Sequence, residues 1–336
     1  MGVGVGIGHR KRGFGMALVA TALLVGVSAC GGSSSADASG GSDNKAQSTG
    51  SADAKPDAKP SPSKPAAPAM LLDTITPHGG TVGVAQPISI VFSNPVATSA
   101  RADVEKHLKV TTSKPVTGAW HWFNDTRADF RPENYWPSGT KVSINADMTG
   151  VKNGNGRVGV HDYTHSFTIG DDVEAKVSVP GHTMTVTKNG TTVRTLPIDA
   201  GSPQWPSWDG TMAVIDKAKT VHMTSCSVHI SCTKGAPDYY DESLPWDVHL
   251  TTSGTYIHYS DGDPYPGHSY GSHGCVHLSL ADAKWFFNYV KAGDPVTITG
   301  SPRGKAPGDN GYADYNVSWS DWLKTSGAGA TPTAVA

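Results

Sequence analysis

The chain carries little charge of either sign. Its 336 residues include 27 Lys or Arg and 29 Asp or Glu, and the formal net charge at pH 7 is −2. Without a basic excess there is no electrostatic footprint for nucleic acid, so the sequence predicts no nucleic-acid partner. Strong helix formers are sparse, whereas Thr, Val, Ser, Gly and Pro are abundant. This composition favours strands and turns, so we expect a mainly β fold.

The N-terminal apolar stretch is too short to span a bilayer. It covers residues 16–27 and follows a basic run at residues 9–12, a pattern that predicts an export signal. The letters "VSAC" resemble a bacterial lipobox, which implies cleavage before Cys30 and lipidation of its sulfur. We therefore expect residues 1–30 to be a lipoprotein signal peptide that leaves the protein anchored to the outer face of the cell membrane. An ordinary signal peptide with an incidental cysteine is the alternative.

Residues 31–70 contain no aromatic side chain and almost no large aliphatic one. Such a segment cannot bury enough apolar surface to offset the entropy lost on ordering, so we expect a disordered linker over residues 31–71.

Residues 72–171 predict a first β unit. Short alternating runs between Gly, Pro, Asn and Asp turns are typical of a β-sandwich, and "ENYWPSGTKVSI" resembles the bacterial immunoglobulin-like domains found beside cell-wall enzymes. Alternation points Ile88, Ile90 and Phe92 to one face, which we expect to be the core. The tryptophans of this unit are expected to pack in the core or between domains rather than to form a ligand platform: Trp120, Trp122 and Trp136.

Residues 172–300 predict a second β unit with one main helix. Asn189-Gly190, between two alternating runs, is a strong hairpin signal. The letters "SLADAKWFFNYVKAG" predict a helix that begins with Ser279 and Asp282 as a capping pair and ends at Gly293.

A tryptophan-rich extension over residues 301–336 follows. Trp319, Trp322 and Leu323 lie at helical spacing, so we expect them to dock on a neighbouring surface. The final letters, "TSGAGATPTAVA", are expected to be loose.

The sequence has only four cysteines. With Cys30 assigned to the lipid, Cys226 and Cys232 are close enough to bridge across a small loop, and an oxidising exterior permits the bond. Cys275 is then odd, and an odd thiol in an exported protein is a candidate reactive group.

Cys275 lies in the turn "GSHGCVHL" with Ser272, His273 and Gly274. A cysteine becomes a nucleophile when its thiolate is stabilised and a base lies within reach, and histidine is the usual base. His258 lies near the end of a predicted strand that faces this turn. The amides of Gly274 and Cys275 are expected to point at a developing oxyanion.

The letters "SHGCVHL", with His258 upstream in "SGTYIHY", resemble the catalytic signature of the L,D-transpeptidases of the YkuD family. The resemblance to mycobacterial-type members covers about residues 75–325. It implies an immunoglobulin-like β-sandwich followed by a YkuD-type β-sandwich catalytic domain with one main helix and a C-terminal extension. It also implies an acyltransferase that needs no cofactor or metal and that carbapenems acylate.

The resemblance implies a role for each matching residue. Cys275 attacks the carbonyl between the third and fourth residues of a peptidoglycan donor tetrapeptide stem, and His258 takes the thiol proton. The carbonyl of Gly254 orients that histidine. The amine of an acceptor stem's diamino acid then resolves the acyl-enzyme, which gives a 3→3 cross-link. Tyr240 and Ser253 match positions that line the donor cleft.

Several assignments stay open. His277 occupies a position where relatives carry Asn or Arg, and it is either a substrate contact or a strand residue. His268 is either a surface loop residue or an acceptor-side contact, and His273 is expected to hold the turn rather than act as the base. The segment 217–250 resembles the family's lid, and we predict that a Cys226–Cys232 disulfide stiffens it.

Four other functions are weighed against cross-linking. An L,D-carboxypeptidase or an enzyme that attaches proteins to peptidoglycan would share the nucleophile and differ in the acceptor. A zinc module could use "HGCVH" with His258 and His268, but no paired Cys-x-x-Cys or His-x-x-x-His accompanies them. A lipid-anchored wall-binding protein would leave Cys275 merely buried.

Overall fold

The computed structural model describes residues 66–336. The predicted signal peptide, the lipidation site at Cys30 and most of the predicted linker lie outside the described residues. Within residues 66–336, no helix is long and apolar enough to cross a membrane.

The first lobe is a β-sandwich of two five-stranded sheets, ordered β2-β4-β7-β6-β22 and β23-β5-β8-β10-β3, with β1 paired to β9. Two of these strands come from the C-terminal extension: β22 (Thr331–Pro332) and β23 (Ala334–Val335). Its elements are β1 (Ala69–Met70), β2 (Leu72–Thr76), β3 (Thr81–Val82), β4 (Ile88–Phe92), α1 (Arg101–His107), β5 (Leu108–Thr112), β6 (Thr117–Trp122), β7 (Arg127–Pro132), β8 (Lys141–Ala146), β9 (Val158–Gly159) and β10 (Tyr163–Ile169). A short 3₁₀ turn, Thr98–Ala100, precedes α1. The first strand begins at Ala69, inside the segment predicted to be linker.

The core of the first lobe forms where the sequence predicts it. Ile88, Ile90 and Phe92 are buried between the sheets. The three tryptophans of the lobe are buried in the same core, so they pack rather than form a ligand platform: Trp120, Trp122 and Trp136.

The second lobe packs a five-stranded sheet, β13-β12-β11-β21-β15, against a four-stranded sheet, β16-β17-β18-β20, with β14 paired to β19. Its elements are β11 (Val173–Ser178), β12 (Thr183–Lys188), β13 (Thr191–Pro197), β14 (Ala200–Gly201), β15 (Gly210–Ala213), β16 (Asp216–Thr224), β17 (Asp241–Thr251), β18 (Thr255–Tyr259), β19 (Tyr270–Ser272), β20 (Val276–Leu278), α2 (Leu280–Tyr289) and β21 (Pro295–Thr299).

Local sequence signals account for the hairpin and the helix start. Asn189 and Gly190 both have positive φ, +49° and +77°, as a two-residue turn between β12 and β13 requires. Ser279 caps α2, because its hydroxyl accepts a hydrogen bond from the Asp282 amide. The prediction that Gly293 ends the helix is wrong, since the chain is already extended at Val290.

The two lobes contact each other at the segment around Gly83. The amides of Gly83 and Ala85 donate to the carbonyls of Ala292 and Gly293, at 2.8 and 2.9 Å. A Cβ at position 83 would lie 2.1 Å from the Asp294 amide nitrogen, so only glycine permits this approach.

The C-terminal extension returns to the first lobe. It contains a 3₁₀ turn (Asp314–Asn316), α3 (Trp319–Leu323), β22 (Thr331–Pro332) and β23 (Ala334–Val335). The prediction of a loose end is wrong, because β22 pairs with β6 and β23 pairs with β5. The edge strands of both sheets offer unpaired backbone groups there, and the extension satisfies them.

Candidate active site

A cleft of about 580 Å³ opens in the second lobe. Of the residues predicted to be catalytic or to bind substrate, only Gly274 does not line the cleft. The residues that line it are Tyr240, Ser253, Gly254, His258, His268, Ser272, His273, Cys275 and His277.

Strand pairing brings Cys275 and His258 to the same face of one sheet. β18 and β20 are parallel neighbours, with Ile257 opposite Val276 and His258 opposite His277. Ile257 and Val276 are fully buried in the core between the sheets. Because side chains alternate along a strand, their sequence neighbours His258, Cys275 and His277 project from the other face, towards the cleft. Cys275, directly before β20, is therefore a diagonal neighbour of His258.

The turn before Cys275 is held by a serine. Ser272 Oγ donates to the Cys275 carbonyl at 2.6 Å and accepts from the Gly274 amide at 3.1 Å. Gly274 has φ of +118°, a conformation that side chains rarely adopt. The prediction that the Gly274 amide faces an oxyanion is wrong for this conformation, since that amide bonds to Ser272.

The carbonyl that orients His258 is not the predicted one. His258 Nδ1 donates to the Tyr259 carbonyl at 2.9 Å, which leaves Nε2 as the nitrogen that can accept a proton. The carbonyl of Gly254 instead faces the thiol, and Cys275 Sγ donates to it at 3.7 Å. The role assigned to Gly254 is therefore corrected, from a partner of the histidine to a partner of the thiol.

Burial keeps both groups neutral. It lowers the pKa of His258 to about 3; positive charge on His277 adds to this shift and the Tyr259 carbonyl opposes it. Burial also raises the pKa of the Cys275 thiol above its usual value, although the residue keeps partial contact with solvent. The resting pair is thus a neutral thiol and a neutral imidazole.

His277 has a carboxylate partner that the sequence did not suggest. Its Nδ1 lies 3.0 Å from Asp263 Oδ2, and both residues line the cleft. The rings of His277 and His258 are 5.0 Å apart between centroids. Two histidines, one bonded to a carbonyl and one to a carboxylate, therefore lie side by side.

The loop that carries His268 is held by a buried aspartate. Asp199 Oδ1 accepts from the amides of Gly267, His268 and Ser269 at 3.1, 3.0 and 2.7 Å. Asp199 comes about 70 residues earlier in the sequence and matches no local motif, so sequence analysis missed it.

The predicted lid, residues 217–250, consists of most of β16 and β17 and of the segment 225–240 between them. Cys226 and Cys232 are joined by a disulfide in it. Val228 and Tyr240 line the cleft from this side, and the Tyr240 ring lies 5.0 Å from the His273 ring. His273 also lies 3.7 Å from the Asp238 carboxylate, so it contacts the lid.

The hydroxyl of Ser253 is already engaged. It accepts from Trp208 Nε1 at 3.1 Å and from Asn310 Nδ2 at 2.9 Å. Arg303, another cleft residue that sequence analysis missed, stacks 3.8 Å over the Trp208 ring.

A thiol and an imidazole that line one cleft are the groups that acyl transfer through a cysteine requires. Among residues 66–336, no group of three or more His, Cys, Asp or Glu side chains has an arrangement that would hold a metal ion.

Comparison with known proteins agrees with this chemistry. Residues 172–298 match the L,D-transpeptidase catalytic domain, YkuD, and residues 43–152 match a bacterial Ig domain. L,D-transpeptidase 1 of Mycobacterium tuberculosis is 34% identical over 227 residues, which are 66% of this chain and 82% of that protein. The chain belongs to the L,D-transpeptidase family.

Other L,D-transpeptidases show how far the likeness extends. L,D-transpeptidase 2 of M. tuberculosis is 34% identical over 247 residues, and the match covers 73% of this chain but only 59% of that protein. The structure of LdtMt1 in complex with imipenem has a TM-score of 0.58 at 31% identity, covering 70% of this chain and all of that one. An L,D-transpeptidase from Mycobacterium smegmatis has a TM-score of 0.55 at 27% identity, covering 69% of this chain and 99% of that one.

Proposed function

We propose that this protein is an exported L,D-transpeptidase that cross-links peptidoglycan through an acyl-enzyme on Cys275. The observation that carries the proposal is the placement of Cys275 and His258 on one sheet face, both open to the same cleft. Family membership supports the reaction class.

The first half-reaction acylates the enzyme. Cys275 Sγ attacks the carbonyl between the third and fourth residues of a donor stem, and His258 Nε2 takes the thiol proton. The carbonyl of Tyr259 holds the ring in the required tautomer. The C–N bond breaks, and His258 returns the proton to the departing D-alanine. The buried environment disfavours a lasting imidazolium, which suits a proton that is returned in the same half-reaction.

The second half-reaction transfers the acyl group to an acceptor amine and regenerates the thiol. An amine from the third residue of a neighbouring stem gives a 3→3 cross-link. Water gives an L,D-carboxypeptidase product, and a protein amine gives attachment of that protein to the wall. Product masses from purified stem peptides distinguish these outcomes, and we expect the cross-linked dimer to dominate.

The location follows from the same proposal. A lipid on Cys30 and a linker that ends before β1 would hold the two lobes outside the cell membrane, within reach of the wall. Peptidoglycan stem peptides are then the partners. Replacing Cys30 with Ser should release the protein from the membrane fraction, whereas retention of the variant would exclude the lipid anchor.

Mass spectrometry of the intact protein tests the nucleophile. We expect one covalent adduct with a carbapenem or a donor tetrapeptide, and none for Cys275→Ser. His258→Ala should acylate at least about 100-fold more slowly, since it loses the base. His161→Ala, at an exposed position of the first lobe, is the matched control. An adduct on Cys275→Ser, or normal acylation of His258→Ala, would contradict these assignments.

A further inference from the structure

The pair formed by Asp263 and His277 is a second acid–base unit in the cleft. The two side chains are 3.0 Å apart, and both line the cleft. His277 is held from two sides. Its amide donates to the Asp199 carbonyl at 2.8 Å, and its ring bonds to Asp263, whose own amide donates to the Ser260 carbonyl at 3.1 Å. The ring therefore has a fixed position relative to the nucleophile.

The carboxylate also fixes which nitrogen of His277 is available. A carboxylate only accepts hydrogen bonds, so Nδ1 of His277 carries the hydrogen and Nε2 carries the lone pair. Nε2 has no hydrogen-bond partner among residues 66–336 and is not sealed from the cleft. Asp263 provides a counter-charge when the ring takes up a proton.

The two histidines of the cleft are suited to different steps. His258 is bonded to a neutral carbonyl and is almost fully buried, so a lasting positive charge there is disfavoured. That property suits the first half-reaction, in which the proton comes from a thiol and is soon returned. The second half-reaction begins with an acceptor ammonium, which has no lone pair until a base removes its proton. An imidazole beside a carboxylate can hold that proton.

We propose that His277 is the general base of the second half-reaction and that Asp263 is its positioning residue. This inference rests on the proposed transpeptidase function. It assigns acid–base work on the donor to His258 and deprotonation of the acceptor to His277.

The atoms balance as follows. His277 Nε2 takes one proton from the acceptor ammonium. The free amine attacks the thioester carbonyl carbon, the new C–N bond forms, and the C–S bond to Cys275 breaks. The second proton of the attacking nitrogen passes through His258 to the departing sulfur. The products are an amide, the Cys275 thiol and a protonated His277, which releases its proton to water.

The titratable groups near His277 come from each element around it. Asp263 faces it from the loop after β18, His258 from β18, and Cys275 from the position directly before β20. The backbone of Asp199 pairs with the backbone of His277, but the Asp199 carboxylate accepts hydrogen bonds from the amides of residues 267–269. Asp263 is therefore the carboxylate in direct contact with the His277 ring.

Separate measurement of the two half-reactions tests the proposal. We expect His277→Asn to be acylated by a carbapenem or donor tetrapeptide at close to the wild-type rate. Its transfer to an amine acceptor should fall by about 100-fold near neutral pH. This defect should shrink as the pH approaches about 10, where a lysine-type amine loses its proton without help. Asp263→Asn should show the same pattern with a smaller loss. His222→Asn breaks the His222–Asp241 pair, which lies outside the cleft lining, and should leave both rates unchanged.

Other outcomes overturn the proposal. If His277→Asn slows acylation as much as transfer, the residue has a structural role. If it raises the KM for the acceptor while the pH profile keeps its wild-type shape, the residue is only a substrate contact. His277 is buried, so Asp263→Asn, on the cleft wall, decides between the same outcomes if His277→Asn fails to fold. A wild-type protein that forms no adduct would instead refute the proposed function itself.

Discussion

At the scale of single residues, the backbone carbonyl that orients His258 is not the one that the sequence predicted. Tyr259 holds His258, and Gly254 faces Cys275. A histidine ring can turn about its side-chain torsions towards either carbonyl, and the strand pattern alone does not say which. The packing of neighbouring side chains selects the orientation.

A buried carboxyl near the thiol is another property of a single residue. Asp247 on β17 is fully buried, and neither of its oxygens has a hydrogen-bond partner among the described residues. Burial raises its pKa to about 7, and its negative charge would raise the pKa of the Cys275 thiol further. Ionisation of Asp247 is therefore costly in the folded state.

This carboxyl makes stability depend on pH. The folded pKa is about 7, whereas an unfolded Asp titrates near about 3.9. The native state thus retains a proton that the unfolded state loses. The contribution of Asp247 to the free energy of unfolding is complete below about pH 4 and is lost as the pH rises through 7. As the pH rises from 4 to 8, the free energy of unfolding of Asp247→Asn should therefore increase relative to that of the wild type by about 2–4 kcal/mol.

Urea unfolding at both pH values measures that gain. Asp73→Asn, at an exposed position of β2, is the control and should follow the wild type. A difference between Asp247→Asn and wild type that stays constant from pH 4 to pH 8 would show that Asp247 titrates normally.

At the scale of elements, the lid depends on one close contact. Val228 packs directly over Gly254, and a Cβ at position 254 would lie 2.6 Å from the Val228 side chain. Gly254 also has φ of +93°. The Cys226–Cys232 disulfide encloses Val228 in its small loop, so it restrains the residue that covers the carbonyl facing the thiol.

Removing the disulfide should loosen this contact. The double variant Cys226→Ser, Cys232→Ser is expected to lose about 2 kcal/mol of stability. This is the effect expected when a disulfide that closes a loop of this length no longer restricts the unfolded chain. Acylation should also slow, since the lid would order less well over the donor. Thermal unfolding and adduct formation measure the two effects, with Ser227→Ala as a control inside the same loop. Acylation at the wild-type rate would mean that the lid does not need the bond.

At the scale of the whole molecule, the C-terminal extension connects the two lobes. Arg131 of the first lobe lies 4.4 Å from the ring centroids of Tyr315 and Trp322 and donates to the Val317 carbonyl at 2.9 Å. Glu105 of α1 accepts from the amides of Gly327 and Ala328, each at 2.7 Å. These contacts tie the segment that follows the catalytic domain to the immunoglobulin-like domain.

Breaking the arginine contacts should separate the unfolding of the lobes. Arg131→Met keeps most of the side-chain volume but loses the cation–π contacts and leaves buried carbonyls unpaired, a cost of about 3 kcal/mol. Calorimetry should then show two transitions in place of one. Lys109→Met, which removes an exposed ion pair with Asp147, should cost about 0.5 kcal/mol or less. A single unshifted transition in Arg131→Met would show that other contacts join the lobes.

Local chemistry explains which features could be read from the letters alone. The β-sandwich lobes, the Asn189-Gly190 hairpin, the Ser279 cap and the inward faces of the strands depend on neighbours close in sequence. The cysteine turn and the upstream histidine are short patterns of the same kind, so the family was also readable. Turn geometry, capping and alternation need no knowledge of distant residues.

Packing between distant segments determines the features that the sequence did not predict. Asp199 meets the loop at residues 267–269, Asp263 meets His277, and the C-terminal strands pair with the sheets of the first lobe. Each of these contacts joins residues that no local period relates, and each forms only after the sheets have brought the segments together. The sequence alone therefore located Cys275 and His258. The carboxylates that hold His277 and the loop at residues 267–269 became visible only in the folded chain, because sheet formation brings these distant segments together.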